Sequence, residues 1–261
     1  MEKGKGVRLF AMSTNGHKWN PGGYDEHAHY VYKLGEPLIA LLAPSESENI
    51  LDLGCGNGEL TLRLMEFECN VTGIDSSPDM VHAAKENGVN AIVMKAQDIS
   101  FNNEFDGIIS NAAIHWMTDI EKVLEGCFRS LKAGGRFVGE FGGEGNVGRI
   151  VSATEKYFES HPELGEFSVP WYFPSVEEFE EELEEAGFFT EYLELIDRPT
   201  PLPTGIKGWL ITFFHGLMSG FTDKQKDNFI DEVTEILRPE LYNKDTGWHA
   251  DYVRLRFKTL K

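Results

Sequence analysis

The sequence is poor in cysteine. Cys55, Cys69 and Cys127 are its only three, and no two of them form a C-x-x-C pair. That excludes a cysteine-based zinc site and a disulfide framework, and it suits reduced thiols in a cytoplasmic setting. The eight histidines are scattered. His27 and His29 would point to different sides of a helix, so no metal site is expected. No apolar run approaches the roughly 18 residues needed to cross a bilayer. Residues 1–10 are charged and contain glycine, which is not the pattern of a signal peptide. Basic residues are scarce as well. Twenty-four Lys and Arg stand against 43 Asp and Glu, for a net charge of −19, and they form no run. Nucleic-acid binding depends on cations neutralising phosphates, so neither a nucleic-acid nor a membrane partner is expected.

What is present is the composition of an ordinary globular protein, 41% hydrophobic and 26% charged. The acid is concentrated. Seven of the nine residues 177–185 are Glu. Val176, Phe179 and Leu183 form one helical stripe there, Ser175 and Glu178 form a capping box, and Gly187 supplies the stop. The acidic run therefore reads as the solvated face of an amphipathic helix.

Along the chain, a helix around 28–42 precedes a regular alternation. Strands are expected at 49–53, 71–74, 91–94, 105–110 and 136–141. Helices between them carry Leu60, Leu64 and Phe67, then Met80, Ala83, Ala84 and Asn87, then Ile120, Val123, Leu124, Cys127 and Leu131 on their inner faces. Ser77 caps the second helix with Pro78 at its first position. Thr118 and Glu121 form a capping box for the third. Later come a helix from about 146, the acidic helix, a strand at 189–196 and a proline-rich linker at 198–203. Helices at 206–218 and 222–237 follow, and a strand at 251–258 closes the chain. Strand–helix alternation implies an α/β fold with a mostly parallel, seven-stranded sheet covered by helices on both faces. The expected organisation is an N-terminal helical cover (1–45), a Rossmann-like core (46–198), a helical lid insertion (199–248) and a last core strand (249–261).

The main chemical signal is Leu51-Asp52-Leu53-Gly54-Cys55-Gly56-Asn57-Gly58. Glycines directly after a strand let the backbone turn tightly and approach a ligand. The spacing is G-x-G-x-G, not the G-x-G-x-x-G of dinucleotide binders. A pyrophosphate seeks bare backbone donors at a helix N-terminus, and Asp52 would repel it. A ligand with an ammonium, a sulfonium and no phosphate fits better. Asp75 ends the second strand, 21 residues after Gly54, where an acid accepts hydrogen bonds from ribose hydroxyls; the alternative is a carboxylate that caps the following turn. Gln97-Asp98-Ile99, after the third strand, suits an adenine edge, with a surface turn as the alternative.

These features resemble the class I S-adenosylmethionine-dependent methyltransferases. Trp19-Asn20-Pro21, Tyr24, the stretch from Gly73 to Met80, Asn111-Ala112-Ala113-Ile114-His115-Trp116 and Leu131-Lys132-Ala133-Gly134-Gly135 are similar to the trans-aconitate methyltransferase group. Phe141-Gly142-Gly143-Glu144-Gly145-Asn146, Asp197-Arg198-Pro199-Thr200-Pro201-Leu202 and Asp251-Tyr252-Val253-Arg254-Leu255-Arg256 resemble its uncharacterised bacterial and archaeal relatives. Ala28 departs from the group, in which a His commonly holds that position. The resemblance implies S-adenosylmethionine as cofactor. Asp52, Gly54, Cys55 and Gly56 would line its methionine half, with Asp75, Ser76 and Met80 around the ribose and adenine. Gln97 and Asp98 would close the adenine side. Asn111 and Ala112 would lie beneath the sulfonium, and Trp19 and Tyr24 would cover it.

Methyl transfer from a sulfonium is an in-line displacement whose leaving group needs no proton. A carboxylate acceptor needs no base, whereas a phenol, amine or carbon acid does. His115, just beyond the fourth strand, is the candidate catalytic residue, as a base or as a group that shapes the pocket. Arg149, Arg198, Arg254 and Arg256 are candidates to bind an acidic, trans-aconitate-like small molecule. The rival readings are a nicotinamide-dependent oxidoreductase, opposed by the glycine spacing and Asp52, and a non-catalytic cofactor-binding module. Oligomeric state is not legible.

Overall fold

The computed structural model describes residues 9–10 and 35–261. They fall into two compact units. The larger takes its described residues from 35–144, 171–197 and 253–261. Its sheet runs β4 (Ala91–Val93), β3 (Asn70–Asp75), β2 (Asn49–Leu53), β5 (Phe105–Asn111), β6 (Leu131–Gly142), β10 (Gly247–Leu260), β8 (Phe189–Pro201). The first five strands are parallel neighbours, and β10 is antiparallel to β6. Seven strands thus form the main path, as the alternation implied. The order reverses between β2 and β5, and in such sheets ligands sit beyond the carboxyl ends of the strands near that point.

Helices cover both faces. On one, α1 (Glu36–Leu42) and α2 (Glu59–Met65) bring Leu38, Leu42, Leu60 and Leu64 onto Ile50, Ile109 and Val138. On the other, α4 (Ile120–Ser130) and α6 (Val176–Glu185) bury Val123, Leu124, Cys127, Phe179 and Leu183 against Ile108, Phe137 and Phe257. Phe257 sits edge-on to Phe137 and Phe179, at 4.9 and 5.1 Å between centroids. A Cβ on Gly139, its register partner, would lie 2.5 Å from that ring. Truncating Phe257 to Ala would leave a cavity costing about 3–5 kcal/mol.

Several local expectations hold. Ser77 accepts from the Met80 N–H, with Pro78 opening α3 (Pro78–Glu86). Ser175 and Glu178 form their capping box. Others are corrected. Phe67 lies beyond the end of α2 and is 46% exposed, and Thr61 is buried in its place. Val81, not Ala83, is fully buried on α3. Asp119 rather than Thr118 caps α4, its carboxylate accepting from the Lys122 N–H and pairing with the Lys122 ammonium. The segment 198–201 is strand, not linker. β8 ends the strand order, and an edge strand tolerates prolines that cannot donate. Of the expected helix at 28–42, 28–34 lie outside the described residues.

The smaller unit comprises Gly145–Pro170 and Arg198–Tyr252, with β1 (Leu9–Phe10) paired to β7 (Glu166–Phe167). Helices α5 (Gly148–Ser160), α7 (Gly205–Phe213) and α8 (Asp223–Leu241) enclose Tyr157, Phe158, Trp209, Phe214, Phe221 and Phe229. β9 (Tyr242–Asn243) pairs with the start of β10. The aromatics dense in the sequence after residue 205 are thus largely core. Trp209 also donates to the Tyr252 hydroxyl at 2.6 Å, satisfying its polar edge. No described helix is long and apolar enough to cross a membrane.

Candidate active site

β2 delivers Asp52 and then turns through Gly54, Gly56 and Gly58, all at positive φ. These angles suit glycine and strain other residues. At Gly54 there is a second reason. A Cβ would come within 2.3 Å of the Ala113 side chain, so this glycine lets the turn after β5 close against the loop. At Gly56 the added atom would meet nothing within 4 Å among the described residues. Among the described residues nothing covers the loop there, as a backbone meant to approach a ligand requires.

Two carboxylates flank the loop. Asp52 is buried, and its Oδ2 accepts from the Thr61 hydroxyl at 2.6 Å. Burial pushes its carboxyl up from 3.8 to about 7; the Thr61 bond works against that rise, and nearby Asp75 adds to it. Asp75 closes β3. Its Oδ2 accepts from the Gly56 N–H at 3.0 Å and its Oδ1 from the Ser77 N–H at 2.8 Å. Burial raises its carboxyl too, while those backbone donors pull it down. A carboxylate has about four acceptor positions, so both turns are fixed and capacity for ribose hydroxyls is left. Asp75 therefore serves as a turn clamp whether or not it also binds ribose.

The remaining candidates surround this centre unevenly. Cys55 is buried with its Sγ packed over Gly73, and burial pushes its thiol up, so it is a wall rather than a nucleophile. Met80 is buried at the start of α3, and Ser76 precedes the cap. Gln97 is half-buried and Asp98 exposed in a single 3₁₀ turn, Ala96–Asp98. Ile99 is buried against Gly126 of α4. Asn111 ends β5, and Ala112 takes positive φ while donating to the Glu140 carbonyl at 2.7 Å. Trp19 and Tyr24 lie outside the described residues.

His115 sits in the 3₁₀ turn Ile114–Trp116, buried beside Trp116 and Phe173. Its Nδ1 accepts from the Gly142 N–H at 3.3 Å. Burial, with the Arg254 charge second, holds its pKa well below 6.5. The ring is neutral near pH 7. Because Nδ1 is an acceptor, the ring proton is on Nε2, which is a donor. Glu140, buried at the end of β6, accepts from Arg256 Nε at 2.8 Å.

Sequence reasoning missed Thr61 and the Gly142 N–H. Thr61 left one signal, a hydroxyl on the inner face of an otherwise apolar helix turn. The Gly142 contact left none, because 27 residues separate it from His115.

Known proteins bear on this geometry. The family described as a methyltransferase domain matches residues 51–139, from the strand bearing Asp52 to the middle of β6. An uncharacterized methyltransferase of Schizosaccharomyces pombe is 37% identical over 251 residues, covering 92% of this chain and 96% of that one. A trans-aconitate 2-methyltransferase of Mycolicibacterium gilvum is 35% identical over 118 residues, 44% of this chain and 46% of its own. Among solved structures, the Haemonchus contortus phosphoethanolamine N-methyltransferase 2 in complex with S-adenosyl-L-methionine superposes with a TM-score of 0.61. It is 19% identical, and the match covers 99% of this chain and 61% of that one, a likeness of fold. Neither the nicotinamide reading nor the non-catalytic module gains support from these relatives. With 37% identity to a methyltransferase over 92% of its length, and with the glycine loop and paired acids in place, this chain belongs to the class I S-adenosylmethionine-dependent methyltransferases.

Proposed function

We propose that the protein transfers the methyl group of S-adenosylmethionine to a carboxylate oxygen of a small molecule, making a methyl ester. When bound, the cofactor supplies a methyl group on a positively charged sulfur. The loop at Gly56, uncovered among the described residues, and the acids Asp52 and Asp75 fit it. Asp52, once ionised, would hold its ammonium, and Asp75 its ribose hydroxyls. Met80, Gln97 and Asp98 would border the adenine, and Gly54, Cys55, Asn111 and Ala112 the sulfur-bearing chain.

The observation that carries the acceptor class is the state of His115. A neutral imidazole whose Nδ1 already accepts from Gly142 keeps its one proton on Nε2. It orients an acceptor by donating, and it is not poised to remove a proton. Glu140 is held by Arg256, and the Cys55 thiol is pushed up by burial. The acceptor should therefore arrive already anionic at neutral pH. A carboxylate does so, and the name of the Mycolicibacterium relative points to the same chemistry. The helical segment 199–248 is proposed to govern which acid is used.

Calorimetry and a methyl-transfer assay test this reading. S-adenosylhomocysteine should bind and NAD should not, and base-labile methyl esters should form from a panel of small acids. Binding of NAD without a response to S-adenosylhomocysteine, or transfer confined to amines, would overturn it. Slower hydrogen exchange within 199–248 on adding acceptor would support the role of that segment, and unchanged exchange would remove it.

A further inference from the structure

Six of the seven glutamates in residues 177–185 are exposed, as the solvated face of α6 requires, but Glu182 is half-buried. It stands three residues after buried Phe179 and next to buried Leu183, so it shares the inner face of the helix. A carboxylate on such a face needs a donor to offset its lost hydration. The Tyr172 hydroxyl supplies one, donating to Glu182 Oε2 across ten residues of sequence. Burial raises the Glu182 carboxyl while that bond lowers it, and burial together with the acid pushes the Tyr172 phenol up. The phenol therefore stays protonated near neutral pH and remains the donor. A hydrogen bond to a charged acceptor is roughly twice as strong as a neutral one, so Tyr172 is held firmly at its tip.

The other end of Tyr172 is tied to His115. Its backbone N–H donates to the His115 carbonyl at 3.0 Å, and its ring stacks on Phe141 at 6.2 Å between centroids. Phe141 is fully buried and immediately precedes Gly142, whose N–H holds His115 Nδ1 at 3.3 Å. Phe173, next along the chain, lies 5.9 Å from the imidazole. The Pro174 carbonyl then accepts from the Glu144 N–H at 2.8 Å, and Ser175 opens α6. Residues 172–174 thus join the turn after β5 to the stretch just after β6, and the Tyr172–Glu182 bond ties both to α6. His115 rides on a three-residue 3₁₀ turn, a form with poor hydrogen-bond geometry of its own, so these outer attachments govern where its ring sits.

We propose that Tyr172, clamped by Glu182, is the positioning residue that sets how His115 presents its Nε2–H to the acceptor carboxylate. Its N–H holds the His115 backbone, its ring holds the strand end that carries the Gly142 donor, and the carboxylate of the acidic helix holds Tyr172 itself. The assignment rests on the reading above that His115 orients the acceptor.

The test uses the full chain and ¹⁵N NMR of the His115 ring, which needs no acceptor. Wild type should show two well-separated signals, from a protonated Nε2 and an unprotonated Nδ1. Tyr172→Phe keeps the ring and the backbone N–H and removes the hydroxyl. In it, and in Glu182→Ala, the two signals should move toward each other as the freed ring samples both tautomers. Glu182→Gln, whose amide oxygen still accepts, should keep the wild-type pattern. Glu181→Gln, which removes a charge from the exposed face alone, should match wild type. Melting and S-adenosylhomocysteine affinity check each variant's fold. With trans-aconitate or cinnamate as acceptor, Tyr172→Phe should raise KM about fivefold with kcat little changed, and adding Glu182→Ala to it should cost little more. Unmoved His115 signals in a folded Tyr172→Phe, or moved signals with an unchanged KM, would overturn the role of Tyr172 and leave the reading of His115 intact. If Glu182→Ala does not fold, Tyr172→Phe alone decides. An unchanged KM in His115→Asn would overturn the reading of His115 and the assignment with it. Wild type that neither methylates these acids nor binds them with S-adenosylhomocysteine would overturn the carboxylate reading, and the His115 signals would still decide whether Tyr172 places the ring.

Discussion

The carboxyl ends of the strands hold different buried groups on the two sides of the glycine loop. Around β2 and β3 the buried groups are acids, Asp52 and Asp75, held by a hydroxyl and by backbone N–H groups. Around β5, β6 and β10 they are a neutral imidazole, a buried arginine and aromatic rings. The acidic side suits a ligand bearing an ammonium and hydroxyls. The imidazole side offers a neutral N–H donor, which suits an anion. A methyl group passing from a cationic sulfur to an anionic oxygen would cross between two environments, each matched to its own reactant. The acidic side is the costlier one to bury. It keeps a carboxyl so short of solvent that its pKa rises to about 7.

The largest break in this contrast is Asp52→Asn. A carboxyl raised from 3.8 to about 7 binds its proton more tightly in the folded protein than in the unfolded chain. Its effect is therefore to lower stability progressively between about pH 4 and pH 7, by up to roughly 4 kcal/mol above that window. Asp52→Asn should raise the melting temperature of ligand-free protein at pH 8, by less at pH 5, while S-adenosylmethionine affinity falls about 30-fold or more. Melting curves at the two pH values and calorimetry check both signs. Asp75→Ala comes next. It should cost about 1–3 kcal/mol of cofactor affinity, since the Gly56 and Ser77 anchors go with any ribose contact. Unchanged affinity in a folded variant would leave Asp75 no binding role.

His115→Asn tests the other side. An amide oxygen can still accept from Gly142, so the fold should persist. The loss should fall on acceptor KM, about tenfold, with kcat at saturating cofactor flat from about pH 6 to about pH 9. A drop in kcat of ~10²–10⁴ instead would restore a general base. The smallest effect belongs to Thr61→Val. Without that hydroxyl the Asp52 carboxyl rises further, so affinity for S-adenosylmethionine should fall about threefold at pH 7 and recover near pH 9, as calorimetry would show.

The two sides also differ in how far the sequence discloses them. The acidic side is local. Asp52, three glycines and Thr61 lie within ten residues, and a strand–turn–helix transition accounts for the loop. Asp75 was legible because the next strand must end level with it. Thr61 was not, since a hydroxyl inside a helix reads as filler until the buried carboxylate it serves is located. The imidazole side is assembled from residues far apart in sequence, the Gly142 N–H donating to His115 Nδ1 and the Tyr172 N–H to the His115 carbonyl. Arg254 was one of four equivalent arginines in the sequence, and burial separates it from the other three. Smaller misreadings share a cause. Phe67 fits the helical stripe, but the helix ends before it. Pro199 and Pro201 read as linker because the sequence does not disclose that their strand ends the sheet.

The most direct measurement is the product and pH profile of methyl transfer at saturating S-adenosylmethionine, with trans-aconitate and cinnamate offered beside cinnamylamine. The account predicts a base-labile methyl ester, no N-methylated amine, and a kcat that does not change between about pH 6 and about pH 9, because an ionised carboxylate has no proton to surrender and His115 none to take. A methylated amine as sole product, or a kcat that climbs through an imidazole-like pKa and is lost in His115→Asn, would contradict it.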